Sequence, residues 1–415
     1  MMDTGKVFCM TTKNNLSTRW IMLAVGVFTM LFAGIIYAWS ILKVPFAEEL
    51  GYNGEALALN FTLTMSFFCI GGLLSNVFVK KLGTKFTLML SGALAGIGFI
   101  LSSFLSAGNT WMLYLTYAFL AGSGIGIAYI TIISTINAWF PDKRGTSSGA
   151  LMMGFGASSL ILGNAADAMF KTALGWKTTY IILGAVLGAV LILTAPLIRK
   201  PDPTLPLPTP KKKAAAQEEA FAVCDVPPLA MIRRFSFWRA FIAFVCVTAV
   251  GNSVISFARD LALSVGAEAA LATTLVGVLA VCNGIGRIIT GAVFDAMGRR
   301  FTIIAANILT IVAAAVTLIA VQIHSLPLCI AGLCLTGLSY GSSPTNVSAF
   351  TSAFYGTKYF ASNLGILNFN LMGASFIATA CSALLSSTGG YTAPFVLLLV
   401  LAAAALGLNI SIKKP

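Results

Sequence analysis

Charge is scarce in this chain. Asp, Glu, Lys and Arg make up 9% of its 415 residues, against 58% hydrophobic, and the mean hydropathy is +0.91. No soluble domain of this length needs so much apolar surface. Histidine is nearly missing. His324 is the only one; it falls in a short loop, and one histidine makes no metal site. The eight cysteines are scattered without a Cys-x-x-Cys pair. That argues against a disulfide framework or a thiolate metal centre, and they read as small apolar packing residues. No Gly-x-x-x-x-Gly-Lys-Ser/Thr loop is present, which removes an ATP-driven pump. With no histidine in the apolar runs and no metal cluster, a catalytic constellation is lacking. The chain reads as a non-enzyme needing no cofactor and no metal. The alternation of a membrane barrel is also missing. The N-terminal segment 1–19 is polar, with no apolar core, so no cleavable signal peptide is expected.

What the chain has instead is long apolar runs. A span of the hydrocarbon layer takes about 20 such residues. In lipid each backbone polar group must be satisfied locally, so these runs are helices. Twelve spans are predicted: 19–43, 56–79, 85–106, 111–138, 145–170 and 177–198, then 237–261, 269–294, 300–323, 326–352, 360–385 and 391–412. With both termini cytoplasmic, 21 of the 26 Lys and Arg lie inside. Lys43, Lys171, Lys177 and Arg259 lie outside, and Arg287 lies within the membrane. That bias fixes the orientation. The net charge of +13 is therefore mostly a topology signal. Nucleic acid is excluded as a partner, because the cations sit on short separate loops rather than one face. The expected location is the cytoplasmic (inner) membrane, multi-pass.

Residues 199–236 divide the spans into two blocks of six. This segment contains Pro-Asp-Pro-Thr-Leu-Pro-Leu-Pro-Thr-Pro followed by three lysines, too much proline and charge for a core. It reads as a cytoplasmic linker between bundles 1–198 and 237–415. The blocks resemble each other. Asn76-Val-Phe-Val-Lys80-Lys-Leu-Gly83-Thr-Lys-Phe-Thr87 parallels Gly291-Ala-Val-Phe-Asp295-Ala-Met-Gly298-Arg299-Arg300-Phe-Thr302. Gly156-Ala-Ser158 parallels Gly373-Ala-Ser375, and Trp20 parallels Trp238. The offsets lie between 215 and 218. Their agreement predicts a parallel duplication with the substrate between the halves.

Arg287 is the only charge in the stretch 271–294. A guanidinium in hydrocarbon is costly, and such a group faces a cavity or a partner. No acid lies within a turn or two of it along the helix, so an arriving anion is the candidate partner. Arginine binds a carboxylate with two parallel hydrogen bonds, which supplies geometry as well as charge. Asn283 lies one turn earlier on the same face, placed to donate to a carboxylate or to steady the guanidinium.

The Gly-x-x-x-Asp-x-x-Gly-Arg-Arg pattern at Gly291, Asp295, Gly298, Arg299 and Arg300 resembles the loop signature of the major facilitator superfamily. In the first copy Asn76 replaces the glycine and Lys80 the aspartate. Ala121-Gly-Ser-Gly-Ile-Gly-Ile-Ala-Tyr129, Asn137-Ala-Trp-Phe-Pro-Asp142-Lys-Arg-Gly145 with Ser148-Gly149, Tyr37-Ala-Trp-Ser40 and Asn283-Gly-Ile-Gly-Arg287 are similar to the oxalate:formate antiporter family and related microbial monocarboxylate transporters. The likeness covers essentially the whole chain. Trp-Phe-Pro-Asp-Lys-Arg-Gly itself has a structural reading: Pro141 stops a helix, Asp142 caps the next, and Lys143 and Arg144 anchor to the cytoplasm.

The resemblance implies a carboxylate held by Arg287, with Tyr37, Tyr129 and Tyr340 lining the cavity. Phe155 stands where the antiporter pattern has a tyrosine. Leu371, eight residues after Asn363, stands where it has a lysine, with uncharged Asn368 and Asn370 nearby. Two cations suit a dianion and one suits a monoanion. The implied substrate is a small monocarboxylate of the lactate, pyruvate or formate type. It is moved by alternating access, with coupling open among proton symport, exchange and uniport, and proton coupling expected. An oxalate/formate exchanger and a transporter-like sensor are the alternatives. Asp295, Arg299 and Arg300 form the expected clasp, the acid pairing with nearby cations or helix ends. A monomer in a lipid bilayer is expected.

Overall fold

The fold is that of a computed structural model, described over residues 4–202, 204–208 and 225–412, with side chains from residue 17 onward except at 40, 58, 269, 270 and 273. The lysines of the linker, Lys211, Lys212 and Lys213, lie outside the described residues, as do Lys413, Lys414 and the side chains of Lys6 and Lys13. No strand occurs among the described residues.

Among the described residues, ten helices are long and apolar enough to cross a membrane. They are α1 (Ser17–Ala38), α2 (Gly54–Ser102), α3 (Thr110–Asn137), α4 (Arg144–Phe170) and α5 (Gly175–Thr194). After the linker come α6 (Phe235–Ser264), α7 (Ala269–Gln322), α8 (Leu326–Tyr355), α9 (Phe360–Thr388) and α10 (Thr392–Ser411). Side chains facing outward are apolar and uncovered, as Leu193 (71% exposed) and Val400 (60%) illustrate. A bilayer rather than water suits that surface.

α2 and α7 are each two helices merged through a turn. Gly83 (φ 79, ψ 166) breaks α2 and Gly298 (φ 76, ψ 176) breaks α7. Only glycine adopts this backbone without strain. The detail repeats: Thr87 donates to the Gly83 carbonyl at 2.8 Å, and Thr302 donates to the Gly298 carbonyl at 2.9 Å. The segment repeated in sequence thus carries the same backbone turn and the same side-chain bond at both places.

Among the described residues, Phe257 (φ −126, ψ 16) kinks α6, and three stretches wind as 3-10 or π helix. Gly34–Ala38 in α1 tightens to 3-10 geometry, while Tyr114–Gly122 in α3 and Ser159–Gly163 in α4 widen to π geometry. Such departures inside helices often mark functional positions. Here the tight turn of α1 carries Tyr37 and abuts α4 just before its widened stretch.

The two halves meet most closely at the end of the bundle where Gly83 and Gly298 turn. Asn76 on α2 donates to the Ser362 hydroxyl on α9. Ser148 on α4 and Ser348 on α8 share a hydrogen bond of 2.9 Å. Gly145 and Gly291 cross so tightly that a Cβ on either would lie within 2.6 Å of the other's carbonyl oxygen. Small residues let the α4 and α7 backbones touch.

Candidate functional site: a buried guanidinium between the halves

Arg287 on α7 is only 2% exposed. Its Nε donates to Asn283 Oδ1 at 3.0 Å, one turn back on the same helix. Its Nη1 donates to the carbonyl of Met152 on α4, in the other half of the chain. Among the described residues no carboxylate lies within ion-pair distance of it; the ion pairs are Arg19–Asp142, Lys171–Asp167 and Arg259–Asp260. Of the two roles open to Asn283, the structure takes the second: it steadies the guanidinium.

Gly156 on α4 forms the platform. A Cβ there would lie 2.9 Å from Arg287 Cζ and 3.0 and 3.1 Å from its two terminal nitrogens. The guanidinium plane therefore rests on bare backbone, a place no larger residue leaves open. The sequence shows Gly156 only as a repeat marker; its contact with an arginine 131 positions later is a tertiary fact.

Aromatic residues enclose the rest. Tyr37 meets Phe155 edge-on at 5.3 Å, Tyr129 meets Phe155 at 5.0 Å, and Phe68 meets Tyr129 at 5.1 Å. Tyr37, Tyr129 and Tyr340 all lie close enough to Arg287 to feel its charge. Tyr129 is 4% exposed, Tyr340 5% and Phe155 1%. Tyr37 and Tyr129 thus pack on Phe155, the residue before Gly156, on which the guanidinium rests. Leu371 is buried in the same apolar cluster as Phe68, Tyr129 and Phe155.

The two asparagines of α9 separate. The Asn368 carbonyl accepts from Cys69 Sγ of α2 at 3.2 Å, and its side-chain Nδ2 is buried without a hydrogen-bond partner. Asn370 is tied up within the second half: it donates to the Leu367 carbonyl at 2.8 Å and accepts from Thr248 at 3.3 Å. The Asn368 amide nitrogen is unpartnered, whereas that of Asn370 already donates one bond within its own helix. Sequence reading missed Asn252 on α6, which accepts from the Tyr340 hydroxyl at 3.1 Å. Its signal was available, as an amide midway along the mostly apolar span 237–261.

The clasp differs in detail from expectation. Asp295 accepts from the backbone N–H of Gly145 at 2.9 Å, from the N–H of Thr146 at 2.7 Å and from the Thr146 hydroxyl at 2.6 Å. The acid caps the start of α4 from the opposite half, satisfying amides that the helix cannot pair itself. Arg299 lies over the Phe354 ring at 4.5 Å, and Arg300 is exposed. Of nearby cations and helix ends, the acid reaches a helix end. The expected capping role of Asp142 is overturned: it pairs with Arg19 at 2.9 Å, and no side chain of its own turn caps α4. Gly145-Thr-Ser147-Ser-Gly149 matches the nucleophile-elbow pattern letter by letter, which the sequence reading passed over. Here it is the first turn of a helix, and Ser147 gives its proton to Asn137 Oδ1 at 2.7 Å.

The chain matches the Major Facilitator Superfamily over residues 21–379. It is 27% identical over 384 residues to the oxalate:formate antiporter of Oxalobacter formigenes, covering 92% of this chain and 88% of that protein. It is 26% identical over 350 residues to human monocarboxylate transporter 12, covering 78% and 66%. Its fold superposes on the structure of the proton:xylose symporter XylE bound to 6-bromo-6-deoxy-D-glucose with a TM-score of 0.74, at 14% identity, covering 96% and 97%.

Proposed function

The chain belongs to the Major Facilitator Superfamily, and from that premise we propose that it carries a small monocarboxylate across the inner membrane by alternating access, with proton coupling. The observation that carries this reading is the unpaired buried guanidinium. A charge in low dielectric without a counter-ion costs several kcal/mol, and a bound carboxylate supplies the missing charge in bidentate geometry. Tyr37, Tyr129 and Tyr340 seal the anion, Asn283 holds the guanidinium, Asn368 offers a spare donor, and Phe155 and Leu371 accept an apolar tail. Asn370 then acts only as support.

In this reading α2 and α7 each cross twice, turning at Gly83 and Gly298, so the chain crosses twelve times with both termini cytoplasmic. Bundles 1–198 and 237–415, joined by 199–236, rock about the site as a monomer. The glycine turns mark the cytoplasmic end, so the clasp at Asp295 closes the inner side. The carboxylate binds Arg287 as the anion and takes its proton only on parting from the guanidinium, where burial without that charge raises its pKa. Uptake into proteoliposomes under an imposed pH gradient tests the proposal, together with thermal stabilisation of purified protein by C1–C4 carboxylates. Saturable, gradient-driven accumulation is expected. Binding without accumulation identifies a sensor.

The resemblance to the oxalate:formate antiporter over most of the chain supports a second reading, dianion exchange. Leu371 decides between them, because a second buried carboxylate needs a second cation. Lactate is expected to outcompete oxalate for the wild-type protein, and Leu371→Lys to shift preference toward oxalate by about tenfold or more. Oxalate binding the wild type tenfold tighter than lactate refutes the monocarboxylate reading.

Gly156→Val provides a third test. The added carbons collide with the far end of a flexible side chain rather than with backbone, so the fold survives and the guanidinium moves. Carboxylate affinity is expected to fall at least about tenfold, read by titration calorimetry, with near-normal insertion and melting temperature.

A further inference from the structure

The second half contains a chain of hydrogen bonds whose direction is forced by counting protons. Ser375 on α9 donates its only hydroxyl proton to the Leu371 carbonyl at 2.9 Å. Toward Asn252, 3.3 Å away, Ser375 can then only accept, so Asn252 presents its amide nitrogen on that side. The amide oxygen of Asn252 must face the other way, toward Tyr340 at 3.1 Å. Tyr340 therefore spends its only proton on Asn252. The root of the Tyr340 ring packs on Gly251, where a Cβ would lie 2.2 Å from Cδ2 and 2.5 Å from Cβ and Cγ. The Tyr340 oxygen has only lone pairs left to offer, and its neighbour Gly341 packs on α7 at the site, where a Cβ would lie 2.1 Å from the Asn283 carbonyl oxygen and 3.1 Å from the Arg287 amide nitrogen.

An acceptor beside a guanidinium is useless to a carboxylate, which has no proton to give. It suits a donor attached next to the carboxylate. Resting on the proposed carboxylate site at Arg287, we infer that Asn252 is a positioning residue that fixes Tyr340 as an acceptor, so that the site selects small acids bearing a hydroxyl beside the carboxylate over the same acids without one. The ligand hydroxyl donates to the Tyr340 oxygen while its carboxylate lies on Arg287.

The probes are glycolate and acetate, which differ by one hydroxyl, titrated calorimetrically into the purified full chain at neutral pH, where both are anions. Wild type is expected to bind glycolate about tenfold tighter than acetate. Asn252→Leu removes the acceptor that orients Tyr340 and frees its proton for the carboxylate. The glycolate-to-acetate ratio should collapse toward one, whereas a merely structural role lowers both affinities together and leaves the ratio unchanged. Ser375→Ala, which unlocks the Asn252 amide without touching the ligand, should also lower the ratio and serves if Asn252→Leu does not fold. Equal affinities in the wild type, or an unchanged ratio in both variants, overturn the inference. If Arg287→Lys still weakens both acids, the carboxylate site stands without it. If Arg287→Lys weakens neither, the carboxylate reading falls and takes the inference with it.

Discussion

Arg287→Lys is expected to weaken monocarboxylate binding at least about tenfold, and Arg287→Ala to abolish saturable uptake. Lysine keeps the charge but loses the planar fork, the Nε bond to Asn283 and the flat face resting on Gly156. A charge-assisted hydrogen bond is worth about 1.5–3 kcal/mol, which converts to roughly ten- to hundredfold in affinity for each bond lost. Stability should move the other way. The guanidinium is buried without a counter-ion, and replacing unpaired buried charge by an apolar side chain of similar volume is often neutral or stabilising. Arg287→Met should therefore hold or raise the melting temperature of the empty protein while removing stabilisation by added carboxylate. Wild-type uptake by correctly inserted Arg287→Ala protein would falsify the anchor.

Asp295→Asn is expected to shift the protein toward states open at the end where Gly83 and Gly298 turn, and to slow turnover with little change in intrinsic anion affinity. The carboxylate holds two backbone amides and one hydroxyl of the opposite half at 2.6 to 2.9 Å. These bonds exist only while α4 and α7 are in contact, so losing the charge penalises the closed state alone. One charge-assisted bond weakened by about 1.5 kcal/mol already changes the closed-to-open ratio by roughly tenfold. Thr146→Val deletes only the hydroxyl contact and should show a smaller shift in the same direction. Cysteine accessibility beside Gly145 reports the change. Unchanged accessibility with normal turnover in Asp295→Asn removes the clasp.

The membrane class, the helical content and the glycine turns were legible because each depends on local chemistry. Apolar runs of 20 or more residues admit one backbone solution in lipid. The breaks at Gly83 and Gly298 fall between the spans 56–79 and 85–106 and between 269–294 and 300–323 read from hydropathy, and glycine is the residue that permits the positive φ found there. Arg287 was legible because a charge in an apolar run is anomalous on its own. Tyr37, Tyr129, Tyr340 and Phe155 came from family resemblance rather than from periodicity, as aromatic residues in membrane helices are common for reasons unrelated to a site.

The sequence by itself determined which segments are helices, where two of them turn, and which residue carries the misplaced charge. Only the tertiary structure decided the partners. Asp295 was expected to pair with nearby cations or helix ends; it caps a helix 149 to 150 positions away, because unpaired amides at a helix start attract an acid from whichever half presents one. Asp142 lost its expected cap role to Arg19, its partner across 123 positions. Gly156 became the seat of the guanidinium and Asn252 the residue that orients Tyr340. Such pairings depend on which helix faces lie against each other, and helix crossing is set by packing between distant segments. Residue-by-residue propensity carries no information about that.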